Sequence, residues 1–259
     1  SIVSILGILA AGAAYVPVDP SLPDARMESI LRQTNPAAAL VAAGGPRAVI
    51  SACASGAAVV DLDDPAVRTR LRAGVPARPA KRAPAQAAYA IFTSGSTGEP
   101  KGVVNHDAAL ASYFADHRTR VYAPARARLG RPLTIAHAWS LSFDASWQPL
   151  VGLLDGHTLH LFDAGEMRDA DRLVAGMATH RVDMIDTTPS MLGQLRVAGL
   201  LKHGLAVLAL GGEAIDGALW EQLRGLPAAG VCGAVYNCYG PTEVTVEAVV
   251  AAVGDHPAP

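Results

Sequence analysis

The sequence predicts an α/β fold of mixed, largely parallel sheets flanked by helices. Three observations predict it. Apolar runs of strand length, without in–out alternation, recur between segments whose apolar residues follow helical spacing. Unpatterned runs of that kind mark strands covered on both faces. The composition, 51% hydrophobic and 17% charged over 259 residues, supplies a sizeable core and too little charge for a disordered chain.

The elements follow in order. Residues 2–11 read as a helix closed by Gly12, 14–18 as a short strand, and 20–23 as a Pro-fixed turn. Residues 24–33 carry Ala25, Met27, Ile30 and Leu31 at helical spacing, with Asn35-Pro36 as the stop. Residues 37–41 and 57–62 are strand-length apolar runs, and 74–85 form a Pro-rich basic loop suited to a surface crossing. Residues 87–92 read as a buried strand running into a Gly/Ser/Thr loop, followed by a strand at 102–105. Further strands are expected at 132–136, 158–162, 182–187, 205–210 and 231–237, with helices at 145–154, 169–180, 189–198 and 216–224.

Composition also excludes partners. The net charge is −2, from 21 basic and 23 acidic residues, so no basic field points to nucleic acid or to an anionic membrane. The apolar opening, residues 2–18, is too short and too interrupted to span a bilayer, and no basic segment precedes it. Cys53, Cys232 and Cys238 form no C-x-x-C pair, and with an odd count the expected setting is cytoplasmic. The chain opens without Met inside an expected helix and ends without a closing element, so it reads as a piece of a longer polypeptide. Lys occurs only at 81, 101 and 202, which gives weight to a Lys inside a motif.

One such motif is Thr93-Ser94-Gly95-Ser96-Thr97-Gly98-Glu99-Pro100-Lys101-Gly102. Glycines let backbone amides wrap an anion, hydroxyls add donors, and Lys101 adds charge, a composition suited to polyphosphate. The G-x-x-x-x-G-K-[ST] pattern of a Walker loop is absent. The plainer reading of the segment is a Ser/Gly-rich turn. Here the chain resembles the adenylate-forming superfamily, whose members include acyl-CoA synthetases, luciferases and the adenylation domains of nonribosomal peptide synthetases. In order along the chain, four more segments resemble those adenylation domains: 12–20 (GAAYVPVDP), 143–146 (FDAS), 211–214 (GGEA) and 237–243 (NCYGPTE).

The resemblance implies the large N-terminal subdomain of the adenylate-forming fold, incomplete, with the smaller C-terminal subdomain and its Lys beyond residue 259. It implies that 93–98 and Lys101 hold the β- and γ-phosphates of ATP, and that Tyr239 stacks on adenine while Asn237 bonds its edge. Gly211, Gly212, Glu213 and Gly240 would shape the nucleotide site. Thr242 would donate to the α-phosphate and Glu243 would hold Mg²⁺, a hard cation that prefers oxygen ligands. Thr242, Glu243 and Lys101 are the implied catalytic residues. Asp144 would pair with the α-ammonium of an amino acid, because an acid in an apolar pocket is costly unless paired; it also suits an N-cap for the helix expected at 145–154.

By resemblance the pocket lining is Asp144, Ala145, Trp147 or Gln148, Asp186, Ala209, Gly211, Cys238, Val246 and Glu247. The acids Asp186 and Glu247 favour a cationic side chain such as lysine or ornithine. The reaction implied joins ATP and an amino acid to aminoacyl-AMP and pyrophosphate, then passes the aminoacyl group to a phosphopantetheine thiol. The implied partners are a peptidyl carrier domain and a condensation domain. Two alternatives stay open: an acyl- or aryl-CoA ligase, and a noncatalytic nucleotide-binding fragment. The isolated fragment is expected to have little or no adenylation activity. His157 and His160, three apart in an expected strand, point to opposite faces and make an unpromising metal pair.

Overall fold

The computed structural model describes residues 2–42, 45–54, 56–74, 77–94 and 99–257. The chain divides into two compact units, residues 1–108 and 109–259.

The first unit contains α1 (Ile2–Ala10), α2 (Asp24–Thr34), β1 (Ala38–Val41), α3 (Arg47–Cys53), β2 (Ala58–Asp61), α4 (Pro65–Ala73), β3 (Ala87–Ser94) and β4 (Pro100–His106). β1 and β2 pair in parallel, and Leu31, Val41 and Ile50 pack between them and the helices. α2 stops where expected: Asn35 takes a left-handed conformation at φ 40° and its N–H donates to the Leu31 carbonyl. The strand expected at 14–18 shrinks to one bridge between Tyr15 and Tyr89, because Pro17 has no N–H to continue a ladder. The basic loop is less free than its composition suggested. Arg82 donates to the carbonyls of Leu9, Ala13 and Ala87 and pairs with Asp107. β3 and β4 form an antiparallel hairpin, longer at both inner ends than expected.

The second unit is built on a six-stranded sheet. α5 (Asp107–His117) leads through a π-helical turn (Arg118–Tyr122) into α6 (Ala123–Leu129) and β5 (Thr134–His137). A 3₁₀ turn (Asp144–Ser146), α7 (Trp147–Leu150) and a second 3₁₀ turn (Val151–Asp155) precede β6 (Thr158–Leu161) and α8 (Ala170–Thr179). Then come β7 (Met184–Thr187), α9 (Pro189–Val197), β8 (Val207–Gly211), α10 (Gly217–Ala228), β9 (Val235–Tyr239) and β10 (Val249–Ala252). The strand order is β10-β9-β8-β7-β5-β6, parallel throughout except for the antiparallel edge strand β10. The continuous helix expected at 145–154 is thus three short segments, consistent with Pro149 having no N–H to donate. Central strands are buried on both faces, as their unpatterned apolar runs required; Met184, Ile185, Val207 and Leu208 are inaccessible.

One ion pair ties this sheet together. Arg131 grips Asp183 through two bonds of 2.7 and 2.8 Å, and the same carboxylate accepts from the Thr134 N–H at 2.8 Å. Asp183→Ala leaves that amide without its partner and is expected to destabilise the protein by about 2 kcal/mol. Thermal unfolding checks this, and an unchanged midpoint would refute it.

Candidate functional site

Chain topology locates the site. β6 lies on one side of β5, while β7, β8 and β9 follow in turn on the other. The order reverses between β5 and β7, and in open parallel sheets ligands settle outside the carboxyl ends of strands at such a reversal. A cavity of about 300 Å³ lies there. It is lined by Trp139 beyond β5, Thr188 beyond β7, Gly211 and Gly212 at the end of β8, and Cys238 and Gly240 at the end of β9. Phe143, Asp144, Ala145, Gln148, Val246 and Glu247 complete it.

Two glycines let its walls close. A Cβ on Gly211 would sit 2.9 Å from the Cys238 carbonyl oxygen. On Gly240 it would meet the backbone of 246–248 at 2.7–2.8 Å. Only residues without a Cβ allow those approaches. Gly212 has φ +79°, a turn off β8 that returns Glu213 toward α9. There Glu213 accepts from the Ser190 N–H at 2.9 Å and from its hydroxyl, which hold its carboxyl below the usual range.

The acids define the electrostatics, and no Lys or Arg is among the lining residues. Asp144 accepts from the Ala145 N–H at 2.9 Å and from the Thr242 side chain. Burial nevertheless pushes its carboxyl up, with Glu243 adding to the rise against those hydrogen bonds. Gln148 donates to Glu247, and Glu247 also bonds to the Cys238 thiol, whose ionisation burial drives well above its ordinary value.

Asp186 lies deeper, 3% exposed, on β7 directly beside Ala209 of β8. Burial raises its pKa to about 7, against His117, which lowers it, and with Glu247, which raises it. Neither carboxylate oxygen has a hydrogen-bond partner among the described residues. The folded protein therefore holds a proton that the unfolded chain releases above about pH 3.8, so stability falls as pH climbs from there toward 7. Asp186→Asn removes that penalty. It is expected to melt above the parent at pH 8, with the gap closing toward pH 4; a gap independent of pH would refute the assignment.

The structure gathers many of the expected pocket residues at this cavity: Asp144, Ala145, Gly211, Cys238, Val246 and Glu247. Of the two candidates at 147–148, Gln148 lines it, while Trp147 is buried and absent from the lining. Asp186 and Ala209 lie in the sheet and are also absent from the lining. Strand alternation sends Asn237 and Tyr239 to the face of β9 opposite Cys238, and Tyr239 is 66% exposed. Glu243 is exposed in the 3₁₀ turn Thr242–Val244. As one carboxylate it fits Mg²⁺ only in the manner usual for that ion, which keeps waters and takes its remaining ligands from substrate phosphates. Among the described residues no group of three or more His, Cys, Asp or Glu could hold a metal by itself.

In the other unit, Thr93 pairs with Lys101, and Ser94 with Pro100, at the tip of the β3–β4 hairpin. Lys101 is exposed. Gly95, Ser96, Thr97 and Gly98 lie outside the described residues.

Sequence reasoning missed Trp139, Thr188 and above all His117, which sits behind Glu247 with its Nδ1 3.4 Å from Oε2. The four-residue spacing of Tyr113, His117 and Val121 was its available signal. Among the described residues no helix is long and apolar enough to cross a membrane, and Cys53, Cys232 and Cys238 are free thiols.

Comparison with known proteins agrees with this geometry. The chain is 34% identical to vanchrobactin synthetase VabF of Vibrio anguillarum over 98% of its own length, and 35% identical to AMB antimetabolite synthetase AmbE of Pseudomonas aeruginosa over 100%. It spans only 9% and 12% of those two proteins. A holo four-domain nonribosomal peptide synthetase bound to AMP and glycine superposes with TM-score 0.73 at 25% identity, over 97% of this chain and 17% of that one. The AMPPNP-bound form of the synthetase FmoA3 superposes with TM-score 0.78 at 24% identity, over 97% and 26%, a likeness of fold. The family described as AMP-binding enzyme matches residues 1–259 from end to end, and this chain belongs to it.

Proposed function

We propose that this chain is the nucleotide- and substrate-binding part of an amino-acid adenylation domain in a nonribosomal peptide synthetase. One observation carries the reading: the cavity at the strand ends has a half-buried acid at Asp144, a second acid at Glu247 whose side chain is buried, and no cationic lining residue. Asp144 suits an α-ammonium, a partner that a fatty or aryl acid lacks. The acyl-CoA ligase alternative is therefore the weaker one.

In the reaction, an oxygen of the amino-acid carboxylate attacks the α-phosphorus of ATP. The new O–P bond forms as the bond to the β-phosphate oxygen breaks, and pyrophosphate leaves. Such a transfer needs alignment and charge neutralisation more than covalent help. Asp144 anchors the ammonium and so fixes where the carboxylate can reach. Thr242, which Asp144 engages, is released to the α-phosphate when the ammonium takes its place. Tyr239 and Asn237 receive the adenine, Gly211, Gly212 and Gly240 let backbone approach it, and Glu213 braces that turn. Lys101 and the loop 93–98 receive the β- and γ-phosphates. Mg²⁺ at Glu243 would supply charge neutralisation for the phosphates.

The partners that follow are an amino acid, a peptidyl carrier domain bearing phosphopantetheine, and a condensation domain, in a cytoplasmic setting. Amino-acid-dependent ATP–pyrophosphate exchange by the intact synthetase tests the reading. Exchange with an amino acid is expected; exchange only with a fatty or aryl acid would overturn it. Residues 1–259 alone are expected to show little turnover, and a rate near that of the intact protein would contradict this.

A further inference from the structure

Tyr122 is a buried polar group that the reaction above leaves unused. It ends the π-helical turn Arg118–Tyr122 that follows α5. A π turn closes i→i+5 instead of i→i+4, and such insertions cluster at functional sites. The Tyr122 side chain is wholly inaccessible and held between His117 and His157, each edge-on with its ring centroid 4.7 Å away. Burial pushes its ionisation well above the ordinary value, so the phenol stays a donor. Its hydroxyl donates to the Gln148 carbonyl at 2.7 Å. Gly152 makes room for that approach: a Cβ there would fall 3.3 Å from the hydroxyl and 2.6 Å from Ile135 Cδ1.

The segment so gripped cannot hold itself. α7 spans only Trp147–Leu150, too short to be stable alone, and Pro149 withholds an N–H from it. Yet Gln148 lines the cavity and its amide donates to Glu247, while Trp147 is buried and absent from the lining. Neighbours on a helix differ in direction by about 100°, so a rotation of α7 by that angle would exchange the two. Asp144 lies one turn before Gln148, and between them the buried His137 imidazole hydrogen-bonds the Ser146 backbone. Side chains thus fasten this segment from outside at Ser146 and at Gln148, and Tyr122 makes the second attachment.

We propose that Tyr122 is a positioning residue for amino-acid binding: by holding the Gln148 carbonyl it fixes the rotation of α7, so that the Gln148 amide and not the Trp147 ring forms the cavity wall shared with Asp144. The inference rests on the adenylation reading. Tyr122 is absent from the lining and acts through the backbone of Gln148. Loss of the hydroxyl therefore changes how well the amino acid seats. It leaves the nucleotide alone, whose proposed contacts Asn237 and Tyr239 lie on β9.

The test is pyrophosphate exchange by the intact synthetase. The probe is whichever of the proteinogenic amino acids and L-ornithine the wild type exchanges fastest. Tyr122→Phe keeps the ring and removes the hydrogen bond. It is expected to raise the amino-acid KM about tenfold, the upper range for one hydrogen bond, with kcat and the ATP KM kept. In a Gln148→Ala background, which has no amide to place, the same substitution should change the amino-acid KM little. A hydroxyl that only stabilised the fold would lower the melting temperature in both backgrounds and leave the KM values alone. If Tyr122→Phe does not accumulate as folded protein, Gly152→Ala serves instead. Its methyl presses on the hydroxyl and on the Ile135 side chain, and the same rise in amino-acid KM is expected, again lost in the Gln148→Ala background.

An unchanged amino-acid KM would overturn the proposal. So would an equal rise with and without the Gln148 amide, or a rise shared by the ATP KM. In each of those cases exchange persists, and the adenylation reading survives. Exchange with no amino acid at all would defeat that reading and the proposal with it.

Discussion

Asp144→Ala in the intact synthetase is expected to lower amino-acid-dependent pyrophosphate exchange by two to three orders of magnitude, about 3–4 kcal/mol. The residue is half-buried, and its hydrogen bonds from Ala145 and Thr242 do not fully offset the loss of water. An incoming ammonium would meet a carboxylate already desolvated and already aimed, which is where a charge pair is worth most. Asp144→Asn separates this role from helix capping. The amide still accepts from Ala145 but carries no charge, so the loss should be nearly as large, while nucleotide binding measured by calorimetry stays near the parent value. If Asp144 served only as a cap, Asp144→Ala would cost about 1 kcal/mol of stability, Asp144→Asn almost nothing, and both would leave exchange intact.

Gly240→Val is the second large effect, and it acts through backbone. The new Cβ would fall 2.7 Å from the Glu247 Cα and the Val246 oxygen and 2.8 Å from the Ala248 nitrogen. No rotamer relieves a clash with main chain, so the segment 246–248 must move and take Val246 and Glu247 out of the cavity. A destabilisation of about 3 kcal/mol is expected, at the upper end for overpacking, together with loss of exchange. Gly193→Ala is the control. It sits in α9 with open space around it, and removing glycine from a helix should stabilise by up to about 1 kcal/mol. Melting curves of the two variants moving together would refute the argument.

Much of the frame was legible because burial on both faces imposes its own signature. β8 is a short apolar run and β7 a short, wholly buried one that carries Asp186, and they are followed by the caps Asp216 and Thr188, whose side chains accept from the Leu219 and Met191 N–H groups. What escaped depended on contacts remote in sequence. β10 pairs antiparallel with β9 only after a turn through Thr245 and Val246, both at positive φ, a conformation β-branched residues do not advertise. No element is expected from the sequence at 107–129, where α5 and α6 lie, and the π turn that joins them does not follow a 3.6-residue period. In the site, motif residues such as Asp144 and Gly211 announced themselves. Gln148 was one of two neighbours until the short helices around Pro149 fixed which side chain turns inward. His117 belongs to no motif and gains meaning only through Glu247, 130 positions away by difference of residue numbers.

The reversal from β9 into β10 also bears on how this pocket can be altered. Val246 and Glu247 enter from the turn that joins the two strands, whereas Gly211 and Cys238 are bound into ladder register. A register position cannot be exchanged without disturbing its neighbours, but a turn between two fixed strand ends can be replaced as a cassette. The cavity is in effect a rigid socket with one replaceable wall. Grafting residues 244–248 from a relative is the economical route to a new lining, because it leaves Asp144 and the sheet where they are.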